Sequence, residues 1–476
     1  MRRLVARLSG VLLCAVLCPA VAAEDSGVGL TILYTSGLQG QFDRMLGVAS
    51  LARQARQEGR WVLLLDAGDA LSPSEAAFTH PDREGSLTVD LLNRAGYDGW
   101  LLGAVDLDRP SEALTEGLRQ TRFPVLGANL HRPDTGRFLF QVQPYTVLRR
   151  QGVRIGIVGV SAGDGGMLRG DPGAAAWYYA PLLREQADVV VLLTHLGFEA
   201  DSLLAVSVPG IDVIVDGALP PGREMPQRVN GVLICGNERG GQRLGRLDLT
   251  VSEGKVKDGA CQADEVASAT GNSDDLVTAL SGWTAQVDGK RMALTDVLGA
   301  YAGGFEGAAA GHLIADLMRT TTASDMALVL ASDVGANLPE GPVRVVDLYR
   351  VYSRSHRLVT VFLRGGQVLA LLERSLAPSG PLFLVSGLEV AYDRSVSEGE
   401  AMVSVTVGGQ PLDRDQVYRV ALEERLTGRG RVERIAEVLR PVERREIGVL
   451  IRDMLARHIQ AAGVVRGAVE TRTRVR

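Results

Sequence analysis

A chain of 476 residues is too long for one hydrophobic core and implies two or three domains. Its net charge of −5 is spread along the chain, with 51 basic and 56 acidic residues. No basic stripe tracks a phosphate backbone, which argues against nucleic acid as a partner.

At the N-terminus, Arg2, Arg3 and Arg7 surround the start of an apolar run over residues 8–17, too short to cross a bilayer as a stable helix. Ala20-Val21-Ala22-Ala23 then supplies the small residues that a signal peptidase accepts. Residues 1–23 are therefore expected to be a secretory signal, with a retained anchor as the alternative. No later apolar run is long enough to span a bilayer, so the mature chain is expected to be periplasmic or secreted, with no membrane span. Loss of the signal removes Cys14 and Cys18 and leaves Cys235 and Cys261, an even pair in an oxidising compartment. They fall on stretches that read as neighbouring strands flanking a hairpin, with residues 242–251 between them. A disulfide is expected there; two buried, unpaired thiols are the other reading.

From residue 28 to 265 short apolar runs alternate with amphipathic helical patterns. Residues 62–65, 153–158 and 189–193 read as strands buried on both faces, and 47–58 and 88–95 as helices. This is the pattern of a layered α/β domain, in which ligands bind at the loops after the carboxyl ends of the strands. Residues 266–290 read as a linker: small polar residues over 267–275, then a helix over 276–287. A second, α+β domain follows over 291–465. It is expected to hold a helix at 311–321, strands at 326–330, 358–363 and 403–407, and a last amphipathic helix at 445–460. The charged tail 466–476 reads as disordered. The Gly-rich turn 163–166 reads as a loop and not a phosphate cradle, because no helix with a P-loop lysine follows.

Several short segments recur in a telling order. They begin with Tyr34-Thr35-Ser36-Gly37-Leu38-Gln39-Gly40, Leu65-Asp66-Ala67-Gly68-Asp69 and Leu102-Gly103-Ala104-Val105-Asp106-Leu107-Asp108. Pro124-Val125-Leu126-Gly127-Ala128-Asn129-Leu130 and Leu193-Thr194-His195-Leu196-Gly197 come next. Ile211-Asp212-Val213-Ile214-Val215-Asp216-Gly217-Ala218-Leu219-Pro220 and Gly241-Gln242-Arg243-Leu244-Gly245 close the first domain. The second holds Leu313-Ile314-Ala315-Asp316, Phe383-Leu384-Val385-Ser386-Gly387-Leu388 and Tyr418-Arg419-Val420-Ala421. Together these resemble the metal-dependent 5′-nucleotidase family over nearly the whole mature chain. The resemblance implies an α/β layered metallophosphatase-like domain over 28–265, followed by an α+β 5′-nucleotidase C-terminal domain.

It also implies a chemistry. Family members hold two divalent metals that clamp a phosphoryl group and activate water. Each metal needs about three or more protein ligands. Carried over residue by residue, the Asp and His of the first motif become Gly37 and Gln39, and the Asn and His of the third become Ala104 and Val105. The final pair of His becomes Ala218 and Pro220. Only the bridging Asp, as Asp69, and the downstream His, as His195, keep the family's residue; they are the remnant metal positions. Asp106, Asp108, Asp216, His80 and His131 are the groups that could rebuild a site around them. The nucleotide-recognition half is altered as well. The substrate-contacting Asn and Arg become Leu330 and Gly335, and Ser353-Arg354-Ser355-His356 stands where a stacking Phe belongs. Thr427-Gly428-Arg429-Gly430-Arg431-Val432 carries no aromatic. Arg354, His356, Arg357, Arg429 and Arg431 put cationic groups there instead.

The expectation is an exported, non-catalytic relative of the 5′-nucleotidases that binds a ligand or protein partner, with no catalytic residues and no metal cofactor. The alternative is a metal-dependent phosphoester hydrolase with a residual or rebuilt site.

Overall fold

The computed structural model describes residues 27–475, apart from 60, 73, 83–84, 108–110, 133–134, 163–169, 220–224, 239–242, 267–273, 304–308, 378–379, 382, 394–401, 428–442 and 467–471. Residues 1–23, Asp108, Pro220, Arg429, Arg431 and the 163–166 turn therefore lie outside the described residues.

Two sheets packed face to face build the first domain. The seven-stranded sheet runs in the order Lys255–Glu265, Arg243–Ser252, Val28–Thr35, Val62–Asp66, Gly99–Leu101, Val125–Leu126 and Val142–Gln143. The six-stranded sheet runs Gln227–Val229, Val232–Glu238, Val213–Leu219, Val189–His195, Val153–Ser161 and Tyr145–Arg150. Side chains alternate across each strand. Leu30, Ile32 and Tyr34 face Ile155, Val191 and Val215 in the shared inner core, while Leu33 and Leu64 face helices on the outer side. Both faces are thus covered, which is why the central strands read as continuous apolar runs. Helices Phe42–Gln57 and Leu87–Ala95 cover the outer face of one sheet, and Pro172–Arg184 and Phe198–Ser207 that of the other. Local chemistry fixes their ends. Ser86 accepts from the Val89 amide to start one helix, and the left-handed Gly96 stops it. Asp171 caps another, with Pro172 at its first turn.

The second domain is α+β, built on a five-stranded sheet ordered Phe383–Ser386, Met326–Leu330, Val417–Glu423, Arg357–Arg364 and Arg444–Leu450. One hydrophobic core runs through both domains. Phe42, Phe78 and Tyr349 meet edge to face, and Trp283 donates its indole N–H to Asp90 at 3.2 Å. No described helix is long and apolar enough to cross a membrane.

The structure departs from the sequence reading in four places. The linker helix is shorter, Asp274–Gly282, and a strand at Thr284–Val287 follows, paired with Phe78–Thr79 of the first domain. The first part of the expected last helix is a strand, Arg444–Leu450, and the helix is Ile451–Ala462. Gly448 has φ +76, which no helix accommodates. The tail contributes a strand, Thr473–Val475, beside Leu388–Tyr392. Arg472 anchors it through a fork to Asp316 at 2.7 and 2.8 Å. Cys235 and Cys261 are not neighbours in one sheet. Cys235 lies in the six-stranded sheet and Cys261 in the seven-stranded one, and they face each other between the layers with Cα atoms 6.0 Å apart. A disulfide spans that distance.

Candidate functional site at the strand ends

The parallel strands Val28–Thr35, Val62–Asp66, Val153–Ser161 and Val189–His195 end side by side, and the segments singled out in the sequence form the loops that follow. The first two loops are joined through their backbones. The Gly37 amide donates to the Gly68 carbonyl at 2.8 Å, and Gln39 to Asp69 at 3.1 Å. Asp69 is held in the left-handed region at φ +61, an uncommon conformation that Asp tolerates.

Asp69 and His195 come together. One Asp69 oxygen accepts from the Val105 amide at 2.9 Å; the other lies 3.2 Å from His195 Nε2. His195 Nδ1 lies 2.8 Å from the Ala67 carbonyl, which only accepts, so Nδ1 carries the proton. That orientation, with a carbonyl behind the ring, is also how a ligating imidazole is held. The backbone closes in tightly around the pair. A Cβ on Gly217 would collide with the Ala67 carbonyl and the imidazole, and one on Gly103 with the Asp69 carboxylate.

The remaining carboxylates are committed to other work. Buried Asp106 accepts from three amides: Asp69 and Gly103 at 2.9 Å and Leu71 at 2.8 Å. It clamps the 68–71 loop against the 103–106 turn. Asp66 accepts from Thr35 Oγ1 at 2.7 Å and the Gly68 amide at 3.0 Å. Burial pushes its carboxyl well above the usual carboxylate range. Asp216 accepts from the Ala218 amide at 2.8 Å and faces Asp201, which accepts from Thr194 at 3.0 Å. Burial raises both carboxyls, and Asp216 raises Asp201 further. His80 packs on Trp283 and His131 on Phe138, so each has its own aromatic partner.

The donor set does not fit a dinuclear centre. Asp69 and His195 are one carboxylate and one imidazole. Gly37, Ala104, Val105 and Ala218 add no metal-binding side chain, and Gln39 adds at most an amide oxygen. Two metals need several ligands each.

Among the described residues, the one group of three His, Cys, Asp or Glu side chains close enough to share an ion lies elsewhere. Asp333, His356 and Glu423 of the second domain bring ligand atoms within 4.8 Å of one another. Sequence reasoning noted His356 but missed the other two, which lie far from it along the chain and come together only in the fold. Arg425 already bridges this group, 2.7 Å from Asp333 and 3.4 Å from Glu423, and the Tyr352 hydroxyl donates to Glu423 at 2.7 Å. Burial first, and then the nearby Asp333, push the Glu423 carboxyl up to about 8. The network is therefore charge-balanced by guanidinium and does not call for a cation. The loop carrying His356 sits over the first domain, where the Ser74 hydroxyl donates to the Ser353 carbonyl. Arg354 lies 3.6 Å from Asp333, and Arg357 donates to the Gly448 carbonyl at 2.6 Å.

This layered sandwich with committed loops at its strand ends, followed by an α+β domain, is the architecture of the two-domain 5′-nucleotidases. Residues 292–432 match the family described as 5′-nucleotidase, C-terminal domain. The chain is 26% identical to the uncharacterized metallophosphoesterase YunD of Bacillus subtilis, over 84% of this chain and 92% of that one. It is 24% identical to the 5′-nucleotidase of Bos taurus, over 84% and 83%. The crystal structure of a 5′-nucleotidase precursor from Thermus thermophilus shares the fold, with a TM-score of 0.69 at 23% identity, covering 94% of this chain and 99% of that one. The second domain thus matches the 5′-nucleotidase C-terminal family, and the chain is similar over most of its length to 5′-nucleotidases and to a metallophosphoesterase.

Proposed function

We propose that this chain is an exported, non-catalytic member of its family that acts by binding a ligand or a protein partner. The observation that carries this reading is the residue set at the strand ends. Asp69 spends one carboxylate oxygen on the Val105 amide, His195 gives its Nδ1 proton to the Ala67 carbonyl, and Asp106 spends its carboxylate on three backbone amides. The loops are thereby organised by the chain's own hydrogen bonds. A disulfide between Cys235 and Cys261, joining the two sheets, suits a periplasmic or secreted protein.

A second reading has its own support. The relatives are named as 5′-nucleotidases and as a metallophosphoesterase, so similarity taken alone favours a metal-dependent phosphoester hydrolase. Only the site residues argue the other way. The deciding experiment is phosphate release from nucleoside monophosphates with added manganese, cobalt or zinc. The non-catalytic reading expects no turnover above the metal-only blank. Turnover that disappears on Asp69→Asn or His195→Gln would establish the hydrolase.

A further inference from the structure

Part of the outer face of the seven-stranded sheet opens into a cleft of about 590 Å³ lined by strand and turn residues. On its floor Thr31 lies opposite Asp248, Gly29 opposite Thr250, and Thr250 opposite Asp258. Their neighbours Leu30 and Leu249 point into the inner core, so this row points outward. Trp61 forms one wall. Its carbonyl accepts from the Thr31 amide at 2.9 Å, and its side chain is left 41% exposed. Gln151, at the tip of the hairpin between Tyr145–Arg150 and Val153–Ser161, adds another wall. The cleft is remote from the strand-end loops: Thr31 precedes Thr35 by four strand residues, roughly 13 Å.

Two residues of the cleft are not explained by the fold. Gly29 sits inside a strand whose register runs unbroken from Val28 to Tyr34, and its φ is not positive. A Cβ there would meet nothing within 4 Å. Glycine weakens a strand, and where neither a bulge nor packing requires it, it marks the close approach of another molecule. Gln151 is held at φ +44 beside Gly152 at φ +80, in a two-residue turn that ordinarily takes Asn, Asp or Gly. The turn thus keeps a longer side-chain amide at the cleft in spite of its backbone cost.

We propose that this cleft binds a neutral saccharide, with a pyranose ring stacked on Trp61 and its hydroxyls bonded to Gln151, Thr250 and Asp258. The volume falls within the range of small-molecule sites. The indole face is negative and suits the C–H face of a sugar ring, whose hydrogens carry partial positive charge. Sugar hydroxyls both donate and accept, and the cleft offers both. The Trp61 indole N–H, the Gln151 side-chain amide and the Thr250 hydroxyl bond to no described residue, and Asp258 gives one oxygen to the Gly259 amide at 2.8 Å and keeps the other. The described lining holds two carboxylates and no basic side chain, which turns away phosphate and carboxylate groups. Asp248 is already engaged by Thr31 and Arg246 at 2.5 and 2.7 Å. The indole and amide donors in turn disfavour a cation. The open floor at Gly29 lets the ring lie against the sheet. This inference stands apart from the question of turnover at the strand ends.

The test titrates the purified full chain with maltotriose, cellotriose and triacetylchitotriose, followed by tryptophan fluorescence and by calorimetry. At least one of them is expected to saturate with a Kd of about 0.1–5 mM. Calorimetry then compares Trp61→Ala, which removes the platform, with Gly29→Leu, which fills the floor. Each should weaken binding at least about tenfold. Both positions face solvent, so circular dichroism and thermal unfolding are expected to match the parent. Absence of a saturable response to all three sugars up to about 20 mM would overturn the proposal, as would an affinity unchanged in either variant. Trigalacturonate and adenosine are the competing probes. Tighter binding of trigalacturonate, or of adenosine in a manner lost with Trp61→Ala, would overturn it in favour of an acidic or a nucleoside ligand.

Discussion

Replacing Asp106 by alanine should destabilise the first domain severely although Asp106 touches no ligand. Its carboxylate accepts from the amides of Asp69, Leu71 and Gly103, all at 2.8–2.9 Å in a fully buried setting. Removing it strands three buried donors, each costing about 1–3 kcal/mol. Loop relaxation and water entry would recover part of that, leaving about 3–5 kcal/mol, near the top of the range for single substitutions. Asp106→Asn provides an internal control. One Asp106 oxygen serves both Asp69 and Gly103, and the other serves Leu71. An Asn placing its oxygen at the first position keeps two bonds and turns its NH₂ toward the Leu71 amide. It should cost roughly half as much. Urea unfolding followed by tryptophan fluorescence measures both, since buried Trp100 lies on the neighbouring Gly99–Leu101 strand. A loss below about 1 kcal/mol for Asp106→Ala would refute the argument that this carboxylate organises the site loops.

Three further outcomes are expected. Thiol titration of denatured, unreduced mature protein should find no free thiol, and Cys235→Ser should cost about 3 kcal/mol by the loop-closure argument; two thiols per chain would refute the bridge. Gly37→Asp with Gln39→His should not create phosphate release from nucleoside monophosphates, because Val105 still replaces an imidazole whose loss commonly costs ~100-fold or more; turnover near family rates would show that ligands arrive from elsewhere. Glu423 should make the protein less stable as pH rises. Its folded value of about 8 exceeds the unfolded 4.5, so its contribution is full below the unfolded value and is lost as pH climbs through the folded one. The slope is at most about 1.4 kcal/mol per pH unit in that window, and Glu423→Gln should flatten it; an unchanged slope would contradict this.

Much of the fold was legible because its signals are local and ordered. Met326–Leu330 and Val189–His195 read as strands since runs buried on both faces are continuously apolar. The motif order carried the two-domain architecture. The misread elements depended on partners distant in sequence. Residues 445–460 hold apolar residues at both helical and strand spacing. Pairing of Arg444–Leu450 with Arg357–Arg364, and the left-handed Gly448, decide the matter. The tail pairs as a strand beside Leu388–Tyr392, where Arg472 meets Asp316, 156 residues away. At the site, the residue types at Gly37, Gln39, Ala104, Val105 and Ala218, none of them a carboxylate or imidazole, could be read directly. The role of Asp106 could not, because its three amides come from two loops brought together by the sheet. The Asp333, His356 and Glu423 group was hidden for the same reason.

The central claim is that the strand-end loops no longer hold a dinuclear metal centre. Elemental analysis of the purified protein, dialysed against buffer containing manganese and zinc and then against metal-free buffer, tests it most directly. The account predicts no stoichiometric metal in the parent, and no change with Asp69→Asn or His195→Gln. About two equivalents per chain, lost in those variants, would contradict it.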